Sequence, residues 1–407
     1  MGRAAPVRLT TRTTESTYQG RSLMDIAIIG GGIGGLATAN ALLKKGFNVQ
    51  VYERAQALRP IGAGLSLTPN GLNSLNTVQP GIAEILIGAG SPMNTLTLKR
   101  STGEMIATKA MTLMQQYGQP MLSIQWSKLQ AILASVLPPE IVHLHHRCVG
   151  FEQQDNSVKV RFEDGKTVQA DLLIGADGIN SAVRQELIGD GTPTYAGRMS
   201  WRAVIPYSHK QLPPDAATLI TALHDKNILL IDVGEGYIFW SAGALSTDDS
   251  VCQRASDAKA RVLDLFAGWA EPVEAIIEAT PAEDIVERPI LDRPPLNNWS
   301  KGRVTLLGDA AHPVVPSLGQ GANMAFEDAY ELAECFANAP NIETALHAYE
   351  TSRIPRTTAI YDRSATQGRD SYQPESETLF NKMMQPSQMS QDNFEAWLYS
   401  YNSATPH

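Results

Sequence analysis

One segment near the start of the chain constrains the fold more than any other. Residues 25–35 read DIAIIGGGIGG, which places Gly30, Gly32 and Gly35 in G-x-G-x-x-G spacing directly after a short apolar run. Glu53 ends the next apolar run, NVQVYE. A strand, a glycine turn, a helix and a second strand ending in an acid form the dinucleotide-binding fingerprint. The sequence therefore predicts a parallel sheet of the Rossmann type with a dinucleotide at its strand ends.

The three glycines and the acid are expected to have separate roles. Gly30 permits a tight turn, Gly32 lets the backbone approach a pyrophosphate, and Gly35 lets the helix predicted over 36–45 pack on the sheet. The pyrophosphate is expected at the N-terminus of that helix, because free N–H groups and the positive end of the helix dipole attract it. Glu53 is the predicted acceptor for both hydroxyls of an adenosine ribose. A glycine-rich turn without a ligand is the alternative.

A second motif decides between NAD and FAD, which the fingerprint alone does not distinguish. Residues 302–311 read GRVTLLGDAA, an apolar run that ends in Gly308-Asp309, and a helix is predicted from Ala322. A carboxylate between a strand and a glycine-rich helix start suits a polyol such as ribityl, and NAD has no ribityl chain. Asp309 is therefore the predicted ribityl ligand, with a simple helix cap as the alternative.

A third segment completes the pattern. Residues 171–184 read DLLIGADGINSAVR, another apolar strand that ends in an Asp-Gly turn, at Asp177, before a helix. With these three segments in this order, the chain over about 25–356 resembles the flavoprotein aromatic hydroxylases. These are the single-component FAD monooxygenases that include salicylate, hydroxybenzoate and urate hydroxylases and zeaxanthin epoxidase. The family's Tyr-Glu-Arg and Pro-Asn-Gly motifs appear here at 52–54 and 69–71.

The resemblance implies both a fold and a reaction. The fold is α/β, with a FAD-binding Rossmann-like domain interleaved with a mixed or antiparallel β-sheet substrate domain, followed by a C-terminal helix. NAD(P)H reduces FAD, molecular oxygen forms a flavin C4a-hydroperoxide, and one oxygen atom hydroxylates or epoxidises a small aromatic, polycyclic or otherwise electron-rich substrate. In the family's geometry, the helix start near Gly319 and Gly321 points its N–H groups at the flavin, where they favour the reduced anion.

Two other functions stay open on the sequence alone. A flavoprotein of the same fold that transfers no oxygen, such as a reductase or a cyclase, would share these motifs. A flavin-binding interaction protein without redox turnover has one supporting feature, Trp126. The family usually carries Arg at this position, at the start of the helix WSKLQAIL, where a guanidinium faces the flavin and its phosphates. An indole has one neutral donor and no charge, so we expect Trp126 to alter the tightness of FAD binding and the mobility of the flavin.

The motifs and the resemblance together predict a set of site residues. The predicted cofactor-binding residues are Gly30, Gly32, Ile33, Gly34, Gly35, Glu53, Arg54, Gly64, Trp126, Val149, Asp177, Asp309, Gly319, Gly321, Ala322 and Asn323. No catalytic residue is assigned, and the candidates are Arg202, Pro316 and Gly319. Arg202 is either a cation that faces the substrate or an edge charge in solvent. His312 is either a general base or, as we expect, a packing and turn-stabilising residue. No metal site is predicted.

Composition limits the class of protein. The chain has 407 residues and 43% hydrophobic content, enough for a large core and two or three domains. A formal charge of −9 argues against a nucleic-acid partner, and no apolar stretch approaches the roughly 20 residues that cross a bilayer. Cys148, Cys252 and Cys335 form no CxxC and no metal spacing, which indicates reduced thiols in a cytoplasmic protein. The expected partners are a small-molecule substrate and oxygen, and the expected assembly is a monomer or a dimer.

The motifs also predict an interleaved domain layout. Residues 1–23 are expected to be a disordered leader. The FAD-binding domain is predicted over 24–90, 115–190 and 290–345, the substrate domain over 91–114 and 191–289, and a C-terminal helical segment over 346–407. Runs such as SWRAVIPYS and GYIFWSAGA predict an antiparallel sheet in the substrate domain, with Trp201 and Trp240 in its core. Helices are predicted at 258–269, 272–279, 341–366 and 392–401.

Overall fold

The computed structural model describes residues 24–58, 63–222, 225–246, 257–370 and 389–402. The strands of these residues are β1 (Asp25–Ile29), β2 (Asn48–Tyr52), β3 (Gly64–Leu67), β4 (Ser91–Pro92), β5 (Thr95–Arg100), β6 (Met105–Ala110), β7 (Leu122–Gln125), β8 (Val142–His143), β9 (Cys148–Gln153), β10 (Val158–Phe162), β11 (Thr167–Ala170), β12 (Leu172–Gly175), β13 (Thr194–Pro206), β14 (Ala216–Ala222), β15 (Lys226–Asp232), β16 (Tyr237–Leu245), β17 (Val286–Asp292), β18 (Ser300–Lys301) and β19 (Val304–Leu306). The α-helices are α1 (Ile33–Lys44), α2 (Pro69–Val78), α3 (Ile82–Ala89), α4 (Leu113–Tyr117), α5 (Trp126–Ser135), α6 (Ala182–Leu187), α7 (Ala258–Leu265), α8 (Val273–Ala279), α9 (Gly321–Asn338), α10 (Ile342–Asp370) and α11 (Met389–Tyr399). The predicted leader at 1–23 and Cys252 lie outside the described residues.

A six-stranded sheet carries the glycine fingerprint near its centre. Its strand order is β18-β19-β12-β1-β2-β8, and β1 pairs in parallel with both β2 and β12. β19 and β8 extend the sheet in parallel, and β18 closes one edge in antiparallel orientation. The strands are apolar runs, and Ile28, Val51 and Ile174 have no exposed surface, as expected for a covered parallel sheet. The predicted Rossmann-like sheet is confirmed.

The first crossover helix begins nearly one turn earlier than predicted. α1 begins at Ile33 rather than at 36, because the carbonyl of Gly32 already accepts a hydrogen bond from the N–H of Leu36 at 3.0 Å. Gly32 is therefore the residue that caps the helix, in extended conformation. Ile33 and Gly34 become first-turn residues, whose N–H groups have no partner within the helix.

Two small antiparallel sheets connect the elements of this half. β9, β10 and β11 form one of them, between β8 and β12 along the chain. β7 pairs with β3 and β4 in the other, with Gly64 opposite Gln125. Because Trp126 follows Gln125 and starts α5, this second sheet fixes where α5 begins.

A seven-stranded sheet forms the second large element, in the order β17-β13-β16-β15-β14-β5-β6. Its neighbours are antiparallel except for β5 and β14, which run in parallel. The strands from 194–292 pair only antiparallel among themselves, and β5 adds one parallel pair, so the predicted mixed or antiparallel sheet is confirmed. β5 and β6 lie within the range 91–114 that was predicted for the substrate domain, and the domain boundaries themselves stay a prediction.

The two faces of this sheet have different surroundings. On the outer face, Trp201 and Trp240 pack with α7 and α8 in one buried cluster, as the sequence predicts for both tryptophans. Their indole N–H groups donate to Glu287 at 2.6 Å and to Thr280 at 2.9 Å. On the inner face, Phe239 lies against β3, where a side chain on Gly64 would meet the Phe239 ring at 2.6 Å.

Three helices complete the chain. α9 packs against α1 and α2, and α10 packs against α9. α10 and α11 begin and end within a few residues of the predicted helices, and α7 ends at Leu265, four residues before its predicted end at 269. α10 continues through Pro355, whose side chain is on the exposed side of the helix. Within the described ranges, no helix combines the length and the apolar character needed to cross a membrane.

Candidate cofactor-binding site

A cavity of about 370 Å³ lies where the strands of the six-stranded sheet end. Its walls bring together residues that are far apart in sequence. The predicted residues that line it are Gly30, Gly32, Ile33, Gly34, Glu53, Arg54, Trp126, Asp177, Asp309, Gly321 and Ala322. We call this cavity the cofactor cleft. It sits at the carboxyl ends of parallel strands, where open α/β sheets bind their ligands.

The three fingerprint glycines differ in what surrounds them. Gly30 has a φ of +114°, and a side chain there would lie 2.2 Å from the carbonyl oxygen of Ala176. A side chain on Gly35 would lie 2.0 Å from the carbonyl oxygen of Gly30, so the close contact of helix and strand requires glycine. At Gly32, no atom lies within 4 Å of the added carbon. The chain therefore needs Gly30 and Gly35 for its own packing, whereas Gly32 keeps space free in the cleft.

Glu53 is fixed by backbone hydrogen bonds at the end of β2. Its carboxylate accepts the N–H of Gly31 at 2.7 Å and the N–H of Ala55 at 2.8 Å. The carbonyl of Gly31 in turn accepts a hydrogen bond from the side chain of Gln130 at 2.8 Å. The sequence analysis missed Gln130, because nothing in its own segment indicates a contact with a loop 99 residues away. These bonds hold the acid on the cleft wall with acceptor capacity left on both oxygens.

The turn that carries Asp309 is held from two sides. The N–H of Gly308 donates to the carboxylate of Asp328 at 3.1 Å. The guanidinium of Arg184, which has no exposed surface, donates to the carbonyls of Ala310 at 3.1 Å and Ala311 at 3.0 Å. Arg184 belongs to the quoted segment 171–184, but its contact with the Gly-Asp turn was not predicted. The Asp-Gly and Gly-Asp motifs are therefore joined by a buried arginine.

The side chain of Asp309 itself is open to the cleft. The surrounding protein raises the pKa of this carboxyl group by desolvation, and the nearby His312 opposes the rise. The side chain is exposed within the cleft, so a ligand can reach its oxygens. A carboxylate accepts hydrogen bonds from hydroxyl groups, so the position of Asp309 suits a polyol chain.

His312 does not face the cleft. Its Nε2 lies 2.5 Å from the Asp328 carboxylate, and its ring lies 5.0 Å from that of Trp299. The side chain is 5% exposed. These contacts make His312 a packing residue of the turn, as expected, and remove it from the candidates for a general base.

The carboxylate of Asp177 is hydrogen-bonded to the protein. Its carboxylate accepts the N–H of Ala182 at 2.7 Å and the hydroxyl of Ser181, so it caps the start of α6. Desolvation raises the pKa of Asp177, and these hydrogen bonds oppose the rise. The residue therefore lines the cleft while its carboxylate is directed to the helix, which agrees with an indirect role toward a ligand.

The N-terminus of α9 enters the cleft at Gly321 and Ala322, and a buried amide network fixes it. Asn323 accepts the N–H of Thr68 at 3.0 Å and donates to the carbonyl of Gly319 at 2.9 Å. The side chain of Asn323 therefore serves the protein rather than the cleft wall. A side chain on Gly71 would lie 2.1 Å from the amide oxygen of Asn323, which explains the glycine of the Pro-Asn-Gly motif.

Five predicted cofactor-binding residues are not on the cleft wall. Gly35 and Asn323 serve packing as described, and Gly64 lies against Phe239. Val149 is 50% exposed on β9, while its neighbour Cys148 lines the cleft. Gly319, like the catalytic candidate Pro316, belongs to the turn before α9 and does not reach the cleft wall.

Trp126 lies on the cleft wall at the first residue of α5. Lys128, the nearest cation in sequence, instead pairs with Glu235 at 2.5 Å and does not line the cleft. The cations that do line it are Arg54 and Arg147, with His146 beside them. No sequence motif marks His146 or Arg147, and both were missed.

The strand ends on the cleft wall span a distance that suits an extended dinucleotide. Glu53 follows β2 and Asp309 follows β19, which are three strand spacings apart in the sheet order. At about 4.8 Å per spacing, the two strand ends are roughly 14 Å apart, a span that a pyrophosphate and its flanking sugars can bridge. The N-termini of α1 and α9 both open into the same space, which favours anionic ligand groups.

Comparisons with known proteins agree with this geometry. Residues 23–364 match the family described as FAD binding domain. The aurachin C monooxygenase/isomerase of Stigmatella aurantiaca is 33% identical over 342 residues, which cover 82% of this chain and 86% of that protein. The 6-hydroxynicotinate 3-monooxygenase of Pseudomonas fluorescens is 34% identical over 345 residues, which cover 82% of this chain and 89% of that protein.

A solved structure extends the likeness to three dimensions. The crystal structure of Klebsiella pneumoniae HpxO complexed with FAD and uric acid covers 94% of this chain and 93% of that chain, with a TM-score of 0.79 and 27% identity. The predictions of FAD as cofactor and of a monooxygenase are confirmed, and NAD(P)H is the usual reductant in this group. The chain belongs to the FAD binding domain family and is a FAD-dependent monooxygenase.

Proposed function

We propose that the enzyme hydroxylates a small aromatic substrate with an acidic group, bound between the flavin and the inner face of the seven-stranded sheet. Arg202 is the proposed anchor for that group. FAD supplies the activation of oxygen when it is bound, so the residues of this chain position the reactants and exclude water. In the overall reaction, NAD(P)H, a proton, oxygen and the substrate give NAD(P)⁺, water and the hydroxylated product.

Different residues of the cleft suit different parts of FAD. The free N–H groups at the start of α1, beside the open space at Gly32, suit the pyrophosphate. Glu53 suits the adenosine ribose, and Asp309 suits the ribityl chain. Gly321 and Ala322 present the N-terminus of α9, whose partial positive charge favours negative charge on a reduced flavin.

The register of the sheet locates Arg202 on the inner face. Side chains alternate between faces along a strand, and Trp201 and Ala203 on either side belong to the outer cluster. Arg202 lies opposite Ser241, and Ser241 lies opposite Leu229 on the next strand. The inner face is adjacent to the cleft, because Phe239 contacts Gly64, which pairs with the residue before Trp126. The half-buried row thus combines a cation, a hydroxyl and an apolar surface.

One observation carries the proposal of an acidic substrate. The Nε atom of Arg202 is buried and has no hydrogen-bond partner within the described part of the chain. Burial lowers the pKa of Arg202, and the neighbouring Arg288 adds to this effect. A guanidinium stays protonated under such conditions, so the site holds a partly desolvated positive charge. A substrate carboxylate or phenolate would satisfy it with charge-assisted hydrogen bonds.

The test compares aromatic carboxylic acids with their amides and methyl esters as substrates. In the native enzyme, the acids should have the lower KM. Arg202→Gln should raise the KM of the acids by roughly tenfold to a hundredfold, because a hydrogen bond to a charged group contributes about 1.5–3 kcal/mol. The KM of the neutral analogues should not change, and Arg202→Lys should restore part of the preference.

Arg288→Gln is the matched control, since Arg288 is an exposed cation on the neighbouring strand. It should raise the KM of the acids several-fold less than Arg202→Gln does. Equal KM values for acids and neutral analogues in the native enzyme would contradict the role of Arg202.

The oxygen step has a separate test. When the reaction is run under ¹⁸O₂, the product should carry one labelled oxygen atom and the second should appear in water. An unlabelled product would support a reductase or a cyclase of the same fold. A cytoplasmic location and a monomeric or dimeric state are further parts of this proposal.

A further inference from the structure

A cluster of four buried charges lies behind the cofactor cleft, between α9 and α10. Glu327, Asp328 and Arg353 have no exposed surface, and Arg356 is 7% exposed. Arg353 lies 2.7 Å from Glu327 and 2.7 Å from Asp328, and Arg356 lies 2.7 Å from Glu327. Buried ion pairs add little net stability compared with apolar packing, because desolvation offsets their attraction. A role in fixing the geometry of nearby elements therefore explains the cluster better than a role in stability does.

One carboxylate of this cluster holds the turn of Asp309. The Oδ2 atom of Asp328 accepts the N–H of Gly308 at 3.1 Å and lies 2.5 Å from His312. Its other oxygen accepts the Nε–H of Arg353 at 2.7 Å. Any shift of Arg353 therefore acts directly on the turn that brings Asp309 to the cleft.

The other carboxylate holds the start of α9. Glu327 accepts a hydrogen bond from the amide of Asn70 at 2.6 Å. The same amide donates to the side chain of Gln320 at 3.0 Å, and Gln320 directly precedes Gly321 on the cleft wall. The cluster is thus bonded to the Asp309 turn and, through Asn70 and Gln320, to the start of α9, both of which line the cleft.

The end of the chain covers the cluster on its outer side. Arg356 donates to the backbone carbonyl of Leu398 at 2.9 Å, and its guanidinium lies 4.3 Å from the ring of Trp397 and 4.4 Å from that of Tyr401. Arg353 lies 5.4 Å from the Tyr401 ring. Such cation–ring contacts strengthen when water is excluded. We call residues 397–402 the C-terminal clasp.

Two further bonds attach the clasp to the body of the protein. The hydroxyl of Tyr401 donates to Glu331 on α9 at 2.8 Å. The amide of Asn402 donates to Ser74 on α2 at 3.2 Å. The clasp therefore bridges α2, α9 and α10, the helices from which the network reaches the cleft.

We propose that the C-terminal clasp positions the cofactor cleft, by completing the ion cluster that holds the Asp309 turn and the start of α9. The clasp residues do not line the cleft, so we infer that they act through Glu327 and Asp328. Without the clasp, water reaches Arg356 and its partners, the ion pairs weaken, and the two turns gain freedom.

The test measures hydrogen exchange and FAD affinity in the same proteins. The variants are a chain that ends at residue 388 and a full-length chain with Trp397→Leu and Tyr401→Leu. Each apoprotein is titrated with FAD, and deuterium uptake is followed in peptides that cover 66–71 and 308–323. We expect faster uptake in both peptides and an FAD Kd raised by roughly tenfold, because two turns must be ordered when FAD binds.

Trp269→Ala is the matched control for a general loss of stability. Trp269 packs on the outer face of the seven-stranded sheet, with its ring 4.6 Å from that of Phe266. It should lower the melting temperature without changing uptake at 66–71 and 308–323. If the shortened chain does not fold, the full-length double variant decides alone. Unchanged uptake in the two peptides and an unchanged FAD Kd would overturn the proposal.

Discussion

The cofactor cleft takes its residues from a few short motifs, whereas the inner face of the seven-stranded sheet takes one residue from each of several strands. In the cleft, Gly32 and Asp309 come from turns whose glycines identify them in the sequence. On the inner face, Arg202, Ser241 and Leu229 become neighbours only through strand register. The cleft residues therefore carry a local sequence pattern, while the inner-face residues carry none. The proposed substrate site is therefore harder to identify from the sequence than the cofactor site.

The largest expected effect concerns Gly32, where the structure leaves space for a ligand and the fold itself does not need a glycine. A valine at Gly32 meets no protein atom at its first carbon, so Gly32→Val should fold. The side chain would occupy the path of the pyrophosphate, and we expect FAD affinity to fall by at least about a hundredfold, or ~2.8 kcal/mol. Flavin content after purification and titration of the apoprotein measure this loss.

Gly35→Ala is the contrasting variant, because its added carbon would lie 2.0 Å from the carbonyl oxygen of Gly30. It should lower the yield of folded protein before any flavin is added. A yellow, fully loaded Gly32→Val protein would show that the pyrophosphate does not pass this point.

The second prediction concerns Asp309, which we expect to hold the flavin in place relative to the inner face of the seven-stranded sheet. Asp309→Ala should lower FAD occupancy and let the flavin move relative to the inner face. A misplacement of ~1 Å can cost on the order of a hundredfold in rate, so product formation should fall while NAD(P)H oxidation continues and hydrogen peroxide accumulates. The ratio of product to NAD(P)H consumed measures the coupling.

Asp309→Asn is the control, since it keeps an acceptor oxygen of the same size. It should retain more coupling than Asp309→Ala. If both variants keep the native FAD occupancy and coupling, the Gly308-Asp309 turn does not hold the cofactor.

The structure shows why the sequence predicts one region better than the other. Strand, turn and acid lie within about 30 residues in the fingerprint, so local pattern suffices to place Gly32 and Glu53. The bond between Asn70 and Glu327 joins residues 257 positions apart, and no local pattern reports it. Gly64 was predicted as a cofactor-binding residue, but the structure places it beside Phe239, on the strand β3 that pairs with β7. Strand register and contacts between distant residues could therefore not be predicted from the sequence alone.

A third prediction tests the contact between the two regions. In Gly64→Ala the added carbon would lie 2.6 Å from the Phe239 ring, so the sheet must move away from β3. We expect the free energy of unfolding to fall by about 1–3 kcal/mol, as for other overpacked sites, with the FAD Kd changed less than twofold. Denaturant unfolding and FAD titration measure the two quantities.

Adding Phe239→Leu to Gly64→Ala should recover part of the lost stability, because the smaller side chain makes room. The double-mutant cycle isolates this pairwise term. A loss of FAD affinity without a loss of stability would show that Gly64 belongs to the cofactor site.

The smallest expected effect concerns Trp126, the position at which the resemblance predicts an arginine. Trp126→Arg would place a guanidinium on the cleft wall, where it attracts the anionic oxygens of FAD. We expect FAD to bind roughly threefold to tenfold more tightly at low ionic strength, with the gain reduced by salt because the cleft is open to solvent. Lys128→Arg is the control, since Lys128 pairs with Glu235 outside the cleft and should leave the FAD Kd unchanged. If Trp126→Arg alters neither the FAD Kd, its salt dependence nor the rate of flavin reduction by NAD(P)H, the indole is only a packing residue of the cleft wall.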